Sequence, residues 1–400
     1  MTMPIFPPTR AEGLARLAAF APKAGRDYAS GRNTDNGAGA KPYVSLLSPY
    51  LRYRLITERE VVAMVLARHS LAAAEKYVQE VLWRTYWKGW LEMRPSVWSG
   101  FVTTRDEARE TLPNARAITA AENGMTGIEG FDDWAKELVE TGYLHNHARL
   151  WFASIWIFTL RLPWALGADF FLRHLIDADA ASNTLSWRWV AGLQTAGKTY
   201  LATADNIARY TNGRFAPKGL ATQAVALTES PFAAPSPLPE QQEFDAGRPA
   251  LLLVTHEDMN PETLIPNSAE LRGVLVAAPK DLLWGGASTQ FVQHAASDTA
   301  ARAKAHYRCT TDVAQMLDAA TLIAAAEAAR VSQIITHYVP VGPVADAMRG
   351  ATPLLEQAGV TVSQVRRSWD AMFWPHANKG FFPFKEQISP GLTAEGIRIG

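Results

Sequence analysis

Two carboxylates two residues apart, Asp177 and Asp179, follow the apolar residues Phe170-Phe171-Leu172 and Leu175-Ile176 and precede Asn183, Trp187 and Trp189. Acids in such surroundings need cations or hydrogen-bond donors. Arg149, just after His145 and Asn146, is the candidate partner. The same residues equally fit an ordinary buried Arg–Asp pair bridging two helices. Tryptophans crowd the same region: Trp83, Trp87 and Trp90 decorate one stretch, while Trp164, Trp187 and Trp189 surround the acid pair. Indoles fill cores, but they also donate single electrons and offer stacking platforms for flat ligands or bases. A flat aromatic partner is the chemistry these residues allow.

Other polar groupings carry less. Asp132-Asp133 with Glu137 has a spacing that metal-dependent isoprenoid enzymes use for Mg²⁺. No second metal motif accompanies it, so a solvated helix face is the reading preferred. His145 and His147 are two apart, a poor spacing for a helical zinc pair, and no cysteine pair supports them. Gly37-Ala-Gly39 lacks the preceding strand that a dinucleotide loop requires. No metal is expected.

The elements that must position the acids and indoles are helical. Val61, Val62, Val65 and Leu66 recur at helical spacing behind a capping box of Thr57 and Glu60. Tyr77, Val81, Tyr86 and Trp90 mark a second helix, and Trp134, Leu138 and Tyr143 a third. Leu150 to Leu160 is apolar nearly all round, as in a helix at the centre of a bundle. That run is too short to cross a bilayer. From Glu229 to Arg248 the prolines at 231, 235, 237 and 239 predict a stiff, extended linker. Beyond it the pattern changes. Ala250–Val254, Gly273–Ala277, Gln333–Thr336 and Val360–Val362 read as strands, and Asp312–Arg330 and Val344–Ala358 as helices. Alternation of this kind implies βαβ units and a parallel sheet. The expected architecture is an all-helical domain (1–228), a Pro-rich linker (229–248) and a Rossmann-like parallel-sheet α/β domain (249–400).

Lys+Arg and Asp+Glu tie at 39 each, which excludes a uniformly basic nucleic-acid coat. Basic residues exceed acidic ones before Leu220 and fall short after it, a hint that the first half faces something anionic, although an asymmetry of this size is also ordinary. A single cysteine, Cys309, cannot form an internal disulfide, so a reducing, cytoplasmic location is expected.

Several motifs in order over residues 10–215 resemble the flavin-binding domain of the photolyase/cryptochrome family. They are Tyr28-Ala-Ser-Gly-Arg32-Asn33, Ser45-Leu-Leu-Ser48-Pro49-Tyr50-Leu51, Glu80-Val-Leu-Trp83-Arg84-Thr-Tyr86, Thr141-Gly142-Tyr143-Leu144-His145-Asn146 with Arg149, and Leu175-Ile-Asp177-Ala-Asp179 through Asn183, Trp187 and Trp189. The resemblance implies a U-shaped FAD within the helical bundle. Tyr28, Ser45 and Ser48 would lie by its pyrophosphate, where hydroxyls donate to phosphate. Asp177 and Asp179 would lie by the ribityl and isoalloxazine portions, with Arg149 balancing their charge. Asn183 would face the flavin N5. Leu47, Arg84 and Asn146 complete the implied FAD-binding set. Trp187 and Trp164 match the inner and middle members of the family's electron relay, with Trp151, Trp156 or Trp134 as candidates for the outer place.

The substrate side carries over in part. Glu80, Trp83 and Asn146 match positions that meet the flipped-out pyrimidine dimer, and Arg32 a position that contacts phosphate. Asn146 and Leu150 stand where (6-4) photolyases carry histidines, which disfavours that photoproduct. Leu150 replaces the methionine usual in dimer repair, and Val44 and Leu46 replace a Thr and an Arg. The α/β part of the family normally comes first. Here Leu251-Leu-Leu-Val-Thr-His-Glu-Asp258 resembles the first strand of its antenna domain and Lys379-Gly-Phe-Phe-Pro-Phe-Lys385 its close, so the chain reads as a circular permutation. The first strand lacks the family's Arg-Arg-Asp, and the antenna pigment stays unknown. The resemblance implies a light-driven DNA lyase acting on damaged DNA; the rival readings are a cryptochrome-like receptor that signals to a protein and an enzyme without light chemistry. A monomer away from membranes is expected.

Overall fold

The computed structural model describes residues 6–37, 43–112, 114–231, 234–264 and 269–399. Ala38 and Gly39 of the Gly37–Gly39 grouping, and Phe232 and Ala233 of the Pro-rich stretch, lie outside them.

The first half is a helical bundle. Its elements are α1 (Arg10–Phe20), α2 (Arg26–Gly31), α3 (Ser48–Arg52), α4 (Glu58–Leu66), α5 (Leu71–Glu92), α6 (Pro95–Thr111), α7 (Ala115–Glu122), α8 (Phe131–Thr141), α9 (Asn146–Ser154), α10 (Trp164–His174), α11 (Ala180–Ala191) and α12 (Ala204–Tyr210). The capping box forms as expected: Thr57 accepts from the Glu60 amide, and Glu60 Oε2 accepts from the Thr57 amide at 2.8 Å. Tyr143 falls outside α8, because Gly142 ends that helix at φ 68°. The apolar run 150–160 is not one α-helix. After Ser154 it widens into a π turn, Ile155–Thr159, whose extra residue is absorbed in the bundle centre.

The second half holds five parallel strands, β1 (Ala250–Thr255), β2 (Leu271–Ala277), β3 (Thr310–Ala314), β4 (Gln333–His337) and β5 (Thr361–Val365), in the order β3-β2-β1-β4-β5. Crossovers are α13 (Gly286–Tyr307), α14 (Ala319–Ala329) and α15 (Pro343–Gln357), followed by α16 (Ser368–Phe373), α17 (Phe381–Lys385) and α18 (Ile388–Ala394). The period-2 rule divides the strands between two cores. Leu252, Val254, Val274, Val276 and Ile335 join the core of the helical bundle; Leu251, Leu253, Leu275 and Ile334 face α14 and α15. One expectation needs correction, and one helix went unread. Asp312 lies in β3, so the stretch 312–330 begins as a strand; its residues are polar because β3 is an edge. The long α13 carries too weak an apolar stripe to be read.

The two halves are joined by buried charge. Arg52 pairs with Glu257 (2.8 Å), Arg54 with Asp370 (2.6 Å) and Asp258 (3.4 Å), and Lys88 with Glu257 (3.2 Å), while Arg367 of the second half itself grips Asp258 through two nitrogens. Residues 216–249 form neither helix nor strand among those described. They are pinned to both halves: the Leu227 amide donates to the Ala191 carbonyl, Arg188 pairs with Glu229, and Arg366 donates to the Pro239 carbonyl.

Candidate functional site

One cavity of about 710 Å³ opens in the helical half. That is the size range of cofactor sites. α5 supplies Tyr77, Glu80, Trp83 and Arg84 from one face, three or four residues apart, as the helical repeat requires. The Ser45–Ser48 turn forms another wall. It holds Leu46 at φ 54°, an uncommon conformation for a branched apolar side chain. The starts of α9 and α11 bring in Asn146, Arg149, Asn183 and Trp187.

The acid pair does not share one partner. Arg149 makes two hydrogen bonds to Asp177, at 3.2 and 2.9 Å. Asp179 is served instead by Arg84 (3.0 Å), Arg52 (3.5 Å) and Lys88 (3.5 Å), and it caps α11 by accepting from the Ser182 amide at 2.7 Å. The expectation that Arg149 balances both charges is thus corrected. Burial alone would raise the Asp179 carboxyl, but Lys88, Arg84 and Arg52 outweigh it and hold the group well below the usual range.

Asn183 donates from Nδ2 to the Ala168 carbonyl at 2.9 Å, which fixes the orientation of its amide. Arg32 is engaged by Glu80 on the cavity wall, so neither is a free charge, and burial raises the Glu80 carboxyl. Trp83 already has a stacking partner. Phe381, from the α/β half, lies parallel to it at 3.6 Å.

The indoles separate into groups. Trp187 is buried in the cavity wall with Trp156 edge-on at 6.3 Å. Trp164 does not line the cavity; it packs on Phe101 at 5.7 Å with the Arg188 guanidinium over its ring. Trp134 and Trp151 stack on each other and reach the cavity through His147, which stacks on Trp151 at 4.3 Å.

Tyr28, Ser45, Leu47, Ser48, Arg84, Asn146, Arg149, Asp177, Asp179 and Asn183 all face this cavity, as do Arg32, Glu80, Trp83 and Trp187. Tyr77, His147 and Phe382 also line it without having been singled out as site residues, and Trp189, named beside the acid pair, joins them. Tyr77 follows from helical spacing with Glu80 and Arg84, and Trp189 from its place beside Trp187. Phe382 has no local signal, since only tertiary packing brings it there. Asp132 instead accepts from the Thr126 and Gly127 amides and Asp133 from Gly130, so these acids cap a turn and a helix. No group of three metal-ligating side chains occurs among the described residues. No helix among them is long and apolar enough to cross a membrane.

The cavity fits a long, polar, partly aromatic group. On its wall, Ser48 Oγ and Trp187 Nε1 are buried without a hydrogen-bond partner in the chain. Such atoms are costly unless a ligand or water meets them. A cavity of this size and lining in a helical bundle can take a cofactor-sized ligand. Residues 77–216 match the family model for the FAD binding domain of DNA photolyase. A deoxyribodipyrimidine photo-lyase of Streptomyces griseus is 34% identical over 170 residues, 42% of this chain and 36% of that protein. One of Synechococcus sp. is 31% identical over 199 residues, 46% and 39% of the two chains. A solved class III photolyase of Agrobacterium tumefaciens aligns at 26% identity and a TM-score of 0.44, over 52% of this chain and 44% of that one. The chain therefore spans less than half the length of these relatives. In its helical half the chain is similar to the FAD-binding domain of DNA photolyases.

Proposed function

We propose that this protein is a light-dependent DNA repair lyase that splits cyclobutane pyrimidine dimers, with residues 249–400 standing as a permuted counterpart of the family's antenna domain. The observation that carries this reading is that one cavity gathers both implied residue sets: Tyr28, Ser45, Leu47, Ser48, Arg84, Asn146, Arg149, Asp177, Asp179 and Asn183 for FAD, and Arg32, Glu80, Trp83 and Asn146 for a dimer. Bound in its reduced form, FAD would absorb light and lend the dimer one electron, which returns once the ring has opened.

The chain's own residues supply position and electrostatics. Ser48 Oγ can donate to a phosphate oxygen. The Arg149–Asp177 and Arg84–Asp179 pairs keep charge balanced against the cofactor's polar portion. Asn183, tethered to Ala168, presents an amide, which accepts or donates a hydrogen bond without being a ready proton source. Apolar Leu150, Ala153 and Phe171 exclude water from the rest of the wall. Glu80, raised by burial, can hydrogen-bond the polar edge of an extruded dimer, a mode of access shared by enzymes that act on flipped bases.

A receptor that signals to a protein partner is the second reading. It draws on the Phe381 ring that already covers Trp83 and on the loss of basic and hydroxyl groups at Leu46 and Val44. Blue-light illumination of the purified protein with a dimer-bearing oligonucleotide separates the two. Loss of dimers in light and not in darkness is the expected result; no loss with the reduced, FAD-loaded protein would reject repair.

A further inference from the structure

Among the large apolar side chains of the described residues, Phe382 is the most exposed, at 82%. Single exposed aromatics are common, but this one sits on the rim of the cavity. Its neighbours Phe381 and Phe384 are buried at 6% and 0%. The backbone around it is pinned: Tyr86 Oη donates to the Lys379 carbonyl at 2.8 Å, and Arg94 donates to the Asn378 carbonyl at 2.7 Å. Phe381 is locked face-to-face on Trp83. The chain thus holds a rigid turn to the bundle and leaves one ring in solvent beside the cavity mouth. Lys379, three residues earlier, is exposed on the same turn. A preordered ring loses little freedom on binding, so its contact energy is available to a flat partner.

We propose that Phe382 stacks on the base that flanks the extruded dimer, which makes the α/β half part of the damage-recognition surface. This rests on the repair reading above. When two adjacent nucleotides leave a duplex, the flanking base loses a stacking neighbour, and an apolar ring at the gap replaces it, as wedges do in other deformed duplexes. Trp83 cannot serve with the face that Phe381 covers, whereas Phe382 lines the same cavity and is open to solvent.

The test is fluorescence anisotropy of a labelled duplex carrying one cyclobutane thymine dimer, measured in darkness with FAD-loaded protein. Phe382→Ala should weaken binding roughly fivefold or more, the scale of losing one base–aromatic stack, with FAD content and thermal midpoint unchanged. Phe382→Trp should restore it. Replacing the flanking base by an abasic residue should erase the difference between wild type and Phe382→Ala, the signature of a direct pair. Equal affinity of wild type and Phe382→Ala for the dimer duplex overturns the proposal, as does an equal loss on undamaged duplex. A wild-type protein that does not prefer the dimer duplex removes the repair reading and this inference together.

Discussion

Asp177 and Asp179 are two residues apart, yet they do different work. Asp179 is enclosed by three cations, so Asp179→Asn leaves Arg84, Arg52 and Lys88 with a surplus of buried positive charge. Breaking a buried network from one side costs about 3–5 kcal/mol. A urea midpoint shifted well down should reveal it, and an unchanged midpoint would contradict the network. Asp177 pairs with Arg149, which is partly exposed, so Asp177→Asn should disturb stability less but lower FAD retention after gel filtration. The acid pair, the serine turn and Trp83 were legible in the sequence because each motif is contiguous. The partners of Asp179 were not, since Arg52 and Lys88 sit far from it along the chain and meet it only in the folded state. The separation of Trp164 from the cavity was hidden for the same reason.

Among the elements, α10 and α11 cross so closely that Gly167 lies under Trp187. A Cβ at Gly167 would stand 2.4 Å from the Trp187 ring and 2.9 Å from Trp156. Gly167→Ala should therefore destabilise by about 1–3 kcal/mol, the usual cost of overpacking. It should also broaden the visible absorption bands of bound FAD, because Trp187 forms the cavity wall. Unchanged bands and stability would mean that the ring relaxes freely. The helices with strong caps and apolar stripes, such as α4 and α5, could be read from the sequence. β3 and α13 could not: an edge strand needs few apolar residues, and beside Phe291 and Val292 the buried face of α13 is made of Ser288, Ala295, Ala296, Thr299 and Ala303. The π turn at Ile155–Thr159 also leaves no mark in an apolar run that looks continuous.

For the whole molecule, the seam between the halves sets a pH response. Burial would raise Glu257 and Asp258, but paired arginines and Lys88 hold both low, Asp258 at about 2. Groups depressed in the folded state contribute stability above their unfolded values of about 4, and lose it as pH falls towards the folded values. Protonation would then take one carboxylate partner each from Arg52, Lys88, Arg54 and Arg367. Glu92 runs the other way. Burial pushes it up to about 7, so the folded state loses stability as pH rises from about 4 to 7. The midpoint of the wild type should therefore fall relative to that of Glu92→Gln as pH rises from about 4 to 7; a difference between the two that stays constant would contradict the assignment. The two-part architecture was visible in the change from helical to alternating pattern, but the charged seam was not.

FAD seated among the helices beside Asp177, Arg149 and Asn183 is the arrangement proposed. The most direct measurement is the amount of FAD released by acid from purified protein after incubation with excess FAD and removal of the unbound fraction. About one FAD per chain for the wild type, falling sharply in Asp177→Asn, is the result predicted. A wild-type protein that stays colourless and releases none would contradict it.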